Sequence, residues 1–333
     1  MRIFRRSPLV SVILPSFNHA DFVGDAVRSV LAQSMRDLEL IVVDDGSSDG
    51  TDAVVAALDD PRLTFIRLAD NRAIHPRNLA LARARGTYVA FQNSDDVWAP
   101  DKLAAQLTVM EGRGRPSACF TTTDLIDAAG LPATDSWASG IFTATNRPAT
   151  QWLRYFFDVG NCLPLPSAMV RRADLARLGG FRASLVQLGD FDLWVRLAAL
   201  GEFHIIDQAL TQIRIVEHRN ASAPAPRTSR RSLIEWASVL ESYVQSPILD
   251  QFDRIFPDLP AASTTGARKV ALALRAWGIT SAHRLFADRV MAQVLDDATQ
   301  RADAIAAHGV GSIHDFLRHR GESEFLWHDP GAA

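Results

Sequence analysis

Through the first third of the chain, apolar runs of strand length alternate with stretches whose apolar residues recur every three or four positions. The runs are "LVSVILP" from Leu9, "LELIVVDD" from Leu38, "LTFIRL" from Leu63 and "TYVAFQ" from Thr87. Between them the spacing predicts helices over 21–33, after Thr51, over 76–85 and after Pro100. In the first of these, Phe22, Ala26, Val27, Val30 and Leu31 fall on one face. Pro76 suits a first helical position, and Thr51 or Asp49 can cap the helix that follows "DDGSSDGT". Such alternation predicts an α/β fold, Rossmann-like, with a mostly parallel central sheet flanked by helices.

From about 112 to 224 the pattern is looser. Strands are expected at "SACFTTT", "PSAMVRR" and "TQIRIV", and a helix at "FDLWVRLAALG". The stretch "NASAPAPRT", around Pro224 and Pro226, reads as a linker. The expected division is a domain over 1–224 and a helical C-terminal extension over 225–333. Leu233, Ala237, Leu240 and Val244 form one stripe of that extension, and Phe286, Val290 and Val294 another. Lys and Arg there are mixed with Asp and Glu, so the stripes read as packing faces rather than as an interfacial membrane helix.

Composition narrows the function. With 333 residues and a formal net charge of -3, the chain lacks the basic excess that accompanies binding to a phosphate backbone, so no nucleic acid partner is expected. Cys119 and Cys162 are the only cysteines, without a CxxC or a neighbouring His cluster, which argues against a disulfide framework or structural zinc. A reducing, cytoplasmic setting is the expectation. Arg2, Arg5 and Arg6 read as a solvated tail, and the apolar run after them is broken by Ser11, Pro15 and Asn18, unlike a signal peptide or a membrane span.

Sheets of this class bind ligands at the carboxyl ends of their strands. Those ends read "LPSFN", "VVDDGSSDG" and "FQNSDD". The adjacent carboxylates Asp95 and Asp96 repel unless a positive group is near, and a bound cation is one such group. A solvated turn capping the next helix is the other reading.

In order and spacing, "SVILPSFNHADFVGDAVRSVLAQS", "LELIVVDDGSSDGT", "NRAIHPRNLALARARGTYVAFQNSDD", "GDFDLWVRLA" and "RIVEHRNAS" resemble the family 2 glycosyltransferases, inverting enzymes with the GT-A fold. The resemblance covers roughly residues 8 to 222 and implies a nucleoside diphosphate sugar donor, UDP-linked, and a glycan or lipid-linked acceptor hydroxyl. It implies a role in cell-surface polysaccharide synthesis. Under it, Pro15 and Phe17 lie against the nucleobase, Asp45 accepts a hydrogen from the base, Arg77 approaches the diphosphate and Asp95 the ribose. Core packing is the competing reading for Phe17, and a surface helix position for Arg77. Asp96 and His218 are the implied contacts to Mg²⁺ or Mn²⁺, a choice that suits hard oxygen ligands completed by phosphate and water. Asp190 is the implied catalytic base. Asp192 reads as a first-turn helix residue, and Trp194 as either pocket wall or core.

Three positions depart from the family pattern: Asn93 where many members carry Asp, Ala73 where a Gly is usual, and Gly189 where a Glu is common. They motivate the alternative of a non-catalytic sugar-nucleotide or glycan-binding protein that keeps the fold. Asp45, Arg77, Asp96 and Asp190, retained together, argue against it. A nucleotidylyltransferase would need a Gly-rich N-terminal loop, and "LPSFNHADF" is not one. Peripheral contact with the inner face of the membrane, and a homodimer through the C-terminal helices, are left open as partners.

Overall fold

The computed structural model describes residues 7–69, 76–216, 220, 223 and 225–320. Ala73, His75 and His218, with Arg2, Arg5, Arg6 and Pro224, lie outside the described residues. By compactness the chain divides into two units, residues 1–149 with 160–223, and residues 150–159 with 224–333.

In the first unit the strands are β1 (Val10–Ser16), β2 (Leu38–Asp44), β3 (Leu63–Arg67), β4 (Tyr88–Phe91), β5 (Val97–Trp98), β6 (Ala118–Ile126), β7 (Met169–Arg171) and β8 (Phe203–Arg214). The helices are α1 (Ala20–Leu31), α2 (Thr51–Ala56), α3 (Pro76–Leu81), α4 (Lys102–Met110), α6 (Arg172–Arg177) and α7 (Gly189–Ala198), with α5 (Ala149–Asp158) between α4 and α6 in the chain. The strands form one sheet in the order β3-β2-β1-β4-β7-β6-β8-β5. The first four strands pair in parallel, as the alternating pattern predicts. Beyond β4 the sheet is mixed: β7 runs antiparallel to β4 and β6, β8 is parallel to β6, and β5 is antiparallel to β8.

The buried face of α1, formed by Phe22, Val23, Ala26, Val27 and Val30, meets a core that includes Val10, Val12, Leu14, Leu40 and Val42. Because β1 and β2 are in parallel register, Ser16 lies beside Asp44, and Ile13 beside Phe91 of β4. The three strands therefore deliver their following loops to one edge of the sheet.

The second unit contains α8 (Pro226–Leu240), α9 (Phe252–Ile255), α10 (Thr265–Trp277), α11 (Ser281–Asp296) and α12 (Ala298–Arg320), together with nearly all of α5. Phe157 of α5 lies edge-on to Tyr243, Phe256, His283 and Phe286, at 5.0, 5.1, 5.5 and 5.9 Å between centroids. The Tyr243 hydroxyl donates to the Leu153 carbonyl at 2.7 Å. A segment from the middle of the chain thus supplies aromatic anchors to the C-terminal core. Among the described residues no helix is long and apolar enough to cross a membrane.

Candidate active site

Side-chain and backbone hydrogen bonds join the three loops that leave β1, β2 and β4. Asn18, held in the left-handed region at φ 52°, receives Ser48 N–H on its Oδ1 at 2.9 Å, while its own N–H donates to Ser47 Oγ at 2.8 Å. Asp49 accepts from Ala20 N–H at 2.9 Å and from the Thr51 hydroxyl at 2.5 Å. His19 reaches the third loop, its Nδ1 sharing a hydrogen bond with Ser94 Oγ at 2.7 Å. The polar residues at the strand ends form one connected floor.

On this floor the two aspartates at the end of β2 part company. Asp44 is fully buried and accepts from Ser47 N–H at 3.0 Å and from the Ser47 hydroxyl, so it builds the turn. The N–H of half-buried Asp45 continues the ladder to Ser16 O at 2.8 Å. Pro15 is half-buried and Phe17 is 42% exposed, which removes core packing as the reason for Phe17 and leaves its ring available to stack.

The acidic loop after β4 is held by the far edge of the sheet. Asp96 is 1% exposed; its Oδ1 accepts from Arg214 N–H at 2.9 Å and its Oδ2 from the Asn93 amide at 2.9 Å. Arg214 sends its guanidinium to the carbonyls of Asp95, Asp127 and Ala128 at 2.9, 2.9 and 3.0 Å, and over the Phe22 ring. Burial, then the charge of Asp95, push the Asp96 carboxyl well above the usual carboxylate range. One hydrogen bond on each oxygen leaves lone pairs on both. A buried carboxylate raised in this way, with acceptor capacity remaining, fits a divalent cation completed by phosphate and water oxygens. No cluster of three or more His, Cys, Asp or Glu suited to a metal occurs among the described residues.

Arg77 of α3 and Asp190 of α7 lie within electrostatic range of each other. Burial pushes the Asp190 carboxyl up to about 6, opposed by the Phe191 N–H, the Arg77 charge and the Asn161 amide. Burial lowers the Arg77 guanidinium from its ordinary value, and Asp190 pushes back. The guanidinium also lies 5.8 Å from the centre of the Phe181 ring. Asn78, one residue beyond Arg77, grips the Phe181 backbone at both N–H and C=O, at 2.9 and 2.7 Å. Gly180 permits this approach: φ is +74°, and a Cβ there would stand 2.6 Å from Asn78 Oδ1.

Asp192 is fully buried between Arg196 and Arg182, at 2.5 and 2.9 Å. Arg196 in turn donates to the carbonyls of Leu178 and Gly180 at 3.0 and 2.9 Å. Its work is to fix the loop that carries Phe181, more than the helix-end role expected from the sequence. Trp194 is fully buried, edge-on to Phe120 at 4.9 Å, and donates Nε1–H to Leu163 O at 2.9 Å, which makes it core.

The structure therefore puts Arg77 within electrostatic range of Asp190, sets Asp95 with Asp96, and leaves Phe17 exposed on the floor that carries Pro15 and Asp45. Sequence reasoning missed Asn161, Phe181, Arg214 and the His19–Ser94 bond. Each acts across the fold on a residue distant in the chain, and no local spacing marks it.

Residues 11–169 match the family described as Glycosyl transferase family 2. A protein of Bacillus subtilis named as a putative teichuronic acid biosynthesis glycosyltransferase, TuaG, is 45% identical over 128 residues, which span 38% of this chain and half the length of that relative. Among solved structures, residues 1–349 of S. aureus TarS in complex with UDP-GlcNAc align over 93% of this chain and 91% of that one, with a TM-score of 0.56 and 18% identity. The mannosyltransferase PcManGT from Pyrobaculum calidifontis, in complex with GDP-Man and Mn²⁺, aligns over 97% of this chain and 88% of that one, with a TM-score of 0.52 and 19% identity. At such identities the likeness establishes the fold, which is GT-A with C-terminal helices.

Proposed function

We propose that the protein is an inverting glycosyltransferase that moves a sugar from a UDP-linked donor to a hydroxyl of a glycan or lipid-linked acceptor in cell-surface polysaccharide synthesis. The observation that carries this reading is the raised carboxyl of Asp190 within electrostatic range of the Arg77 guanidinium. A half-buried carboxyl raised to about 6 is a base that is ionised at neutral pH yet basic enough to take a proton, and a guanidinium within its electrostatic range suits an anionic leaving group. Asp190 takes the acceptor proton, the hydroxyl attacks the anomeric carbon opposite the diphosphate, and the configuration inverts. Arg77 offsets the charge that develops on the departing diphosphate. Phe17 stacks on the base, with Pro15 and Asp45 beside it, and Asp95 accepts from the ribose. A divalent cation, Mg²⁺ or Mn²⁺, held through Asp96 would neutralise diphosphate oxygens.

The relative named for teichuronic acid synthesis supports a surface polysaccharide as product. The neighbours bound to UDP-GlcNAc and to GDP-Man with Mn²⁺ support a nucleotide sugar and a metal. A thermal-shift panel of UDP-glucose, UDP-GlcNAc and GDP-mannose, with and without Mn²⁺, tests the donor, since a ligand of the native state raises stability by mass action. Metal-dependent stabilisation by a UDP-sugar, followed by release of UDP, is the expected result. Stabilisation without any turnover would favour the non-catalytic sugar-nucleotide-binding protein, and no stabilisation by either UDP-sugar would refute the UDP-linked donor.

A further inference from the structure

The transfer reading assigns no role to Asn161, in the segment between α5 and β7. Its half-buried side chain occupies a closed ring of hydrogen bonds that starts and ends on α7. Trp194 of α7 donates Nε1–H to the Leu163 carbonyl at 2.9 Å. The Leu163 N–H donates to Asn161 Oδ1 at 2.9 Å. That bond identifies the oxygen end of the amide and turns the nitrogen end outward, where Nδ2 meets Asp190 Oδ2 at 3.4 Å. Asp190 and Trp194 are four residues apart, on one side of α7, so the helix closes the ring.

We propose that Asn161 is a positioning residue for Asp190: its amide, oriented by the Leu163 backbone and through it by Trp194, presents an N–H that holds Oδ2 of the base. The proposal rests on Asp190 being the proton acceptor of the transfer. At 3.4 Å the bond is longer than the 2.7–3.2 Å of a strong one, as catalytic hydrogen bonds often are before substrate binds. A donor to the carboxylate favours its charged form. The other groups acting on Asp190 are the Phe191 N–H, on Oδ1 at 2.7 Å, the charge of Arg77 from α3 and the backbone N–H of Asp190 itself. Asn161 is thus the side chain that donates to Oδ2, while the Phe191 N–H holds Oδ1.

The test is a ¹³C NMR titration of aspartate carboxyl carbons in the full-length protein, with the Asp190 signal identified by its absence in Asp190→Asn. In Asn161→Ala the Asp190 midpoint should rise by about half a unit to one unit, because a hydrogen bond to the charged form is lost. Asn161→Asp keeps an acceptor for the Leu163 N–H, so the turn survives, and replaces the donor with a like charge. There the midpoint should rise by more than about one unit. An unmoved midpoint in either folded variant would overturn the proposal, and if the Ala variant does not fold the Asp variant decides. The acid limb of UDP-GlcNAc turnover should move in the same direction while the donor KM holds, a split that a merely structural residue would not produce. Should the carboxyl midpoint move while no nucleotide sugar is turned over by any of the proteins, the positioning of Asp190 stands and the transferase reading falls.

Discussion

Lys102 opens α4 immediately after the acidic loop, and its side chain is completely buried. Its ammonium donates to Gln106 Oε1 at 2.8 Å and lies 4.0 Å from the centre of the Trp98 ring. Gln106 then uses its amide to hold the carbonyls of Cys119 and Ser167, both at 2.8 Å. Burial lowers the Lys102 pKa to about 7, far below the 10.5 of a free side chain. Between those values the unfolded chain binds more protons than the folded one, so stability rises with pH through that window. At about 1.4 kcal/mol per pH unit, the wild type should gain roughly 2.6 kcal/mol from pH 6 to pH 9 through this group alone. The indole face supports the charged form by up to ~2 kcal/mol, which bounds the gain from below at about 1 kcal/mol. In Lys102→Met the titrating group is gone and the volume nearly kept. The bond lost by Gln106 costs about 1–3 kcal/mol, but equally at every pH. Urea denaturation of both proteins side by side from pH 6 to pH 9 isolates the group, since every other titration is shared. The gap should shift in favour of the wild type as pH rises. Parallel stability curves would refute the reasoning.

Asp190→Asn should retain nucleotide affinity while turnover falls about 10²–10⁴-fold, measured as UDP release and calorimetric UDP binding. In the wild type the rate should rise as pH increases through about 6, because Asp190 must lose its proton to act as the base; a flat profile from pH 5 to pH 8 would assign the proton to another group. Asp96→Ala should abolish the Mn²⁺-dependent part of UDP affinity in calorimetry, and an undiminished Mn²⁺ effect would remove Asp96 from the metal. Asp192→Ala should destabilise the protein by about 3 kcal/mol, the low end for a broken buried ion pair because Arg182 remains 36% exposed. Thermal denaturation reads it, and an unchanged midpoint would mean that Arg196 holds the Phe181 loop without its partner.

The parts of this molecule that were legible in the sequence are those whose cause is local. The first four strands and the helices between them follow from periodicity, and their common register brings three polar loops to one edge, as the parallel pattern requires. Phe17 and Asp96 were picked out in the sequence by their chemical type, and the fold leaves the first exposed and the second buried. The strand Val97–Trp98 was not legible, because two residues carry no period and pair only once β8 lies alongside. Nor does the amphipathic pattern of α5 say which core will receive it: Trp152, Leu153, Phe156 and Phe157 mark a buried face, but the partners of Phe157 lie far along the chain, from Tyr243 to Phe286.

The site divides in the same way, and the division has a physical origin. Residues that meet a ligand must be of a particular chemical type, and type is visible in a sequence. Residues that hold those side chains still need only a donor or acceptor at the right point in space. Asn161, Arg214 and Asn78 all work through backbone groups or amides for which several residue types would serve at other distances. The two ion pairs of Asp192 show the consequence. From the sequence it is one acidic residue in the first turn of a helix, explained by the helix dipole. In the fold it anchors Arg196, which holds the Gly180 carbonyl, and the same turn brings Phe181 against Arg77. Arg77 is thus placed in part by a carboxylate two residues from Asp190, a link that passes through three dimensions.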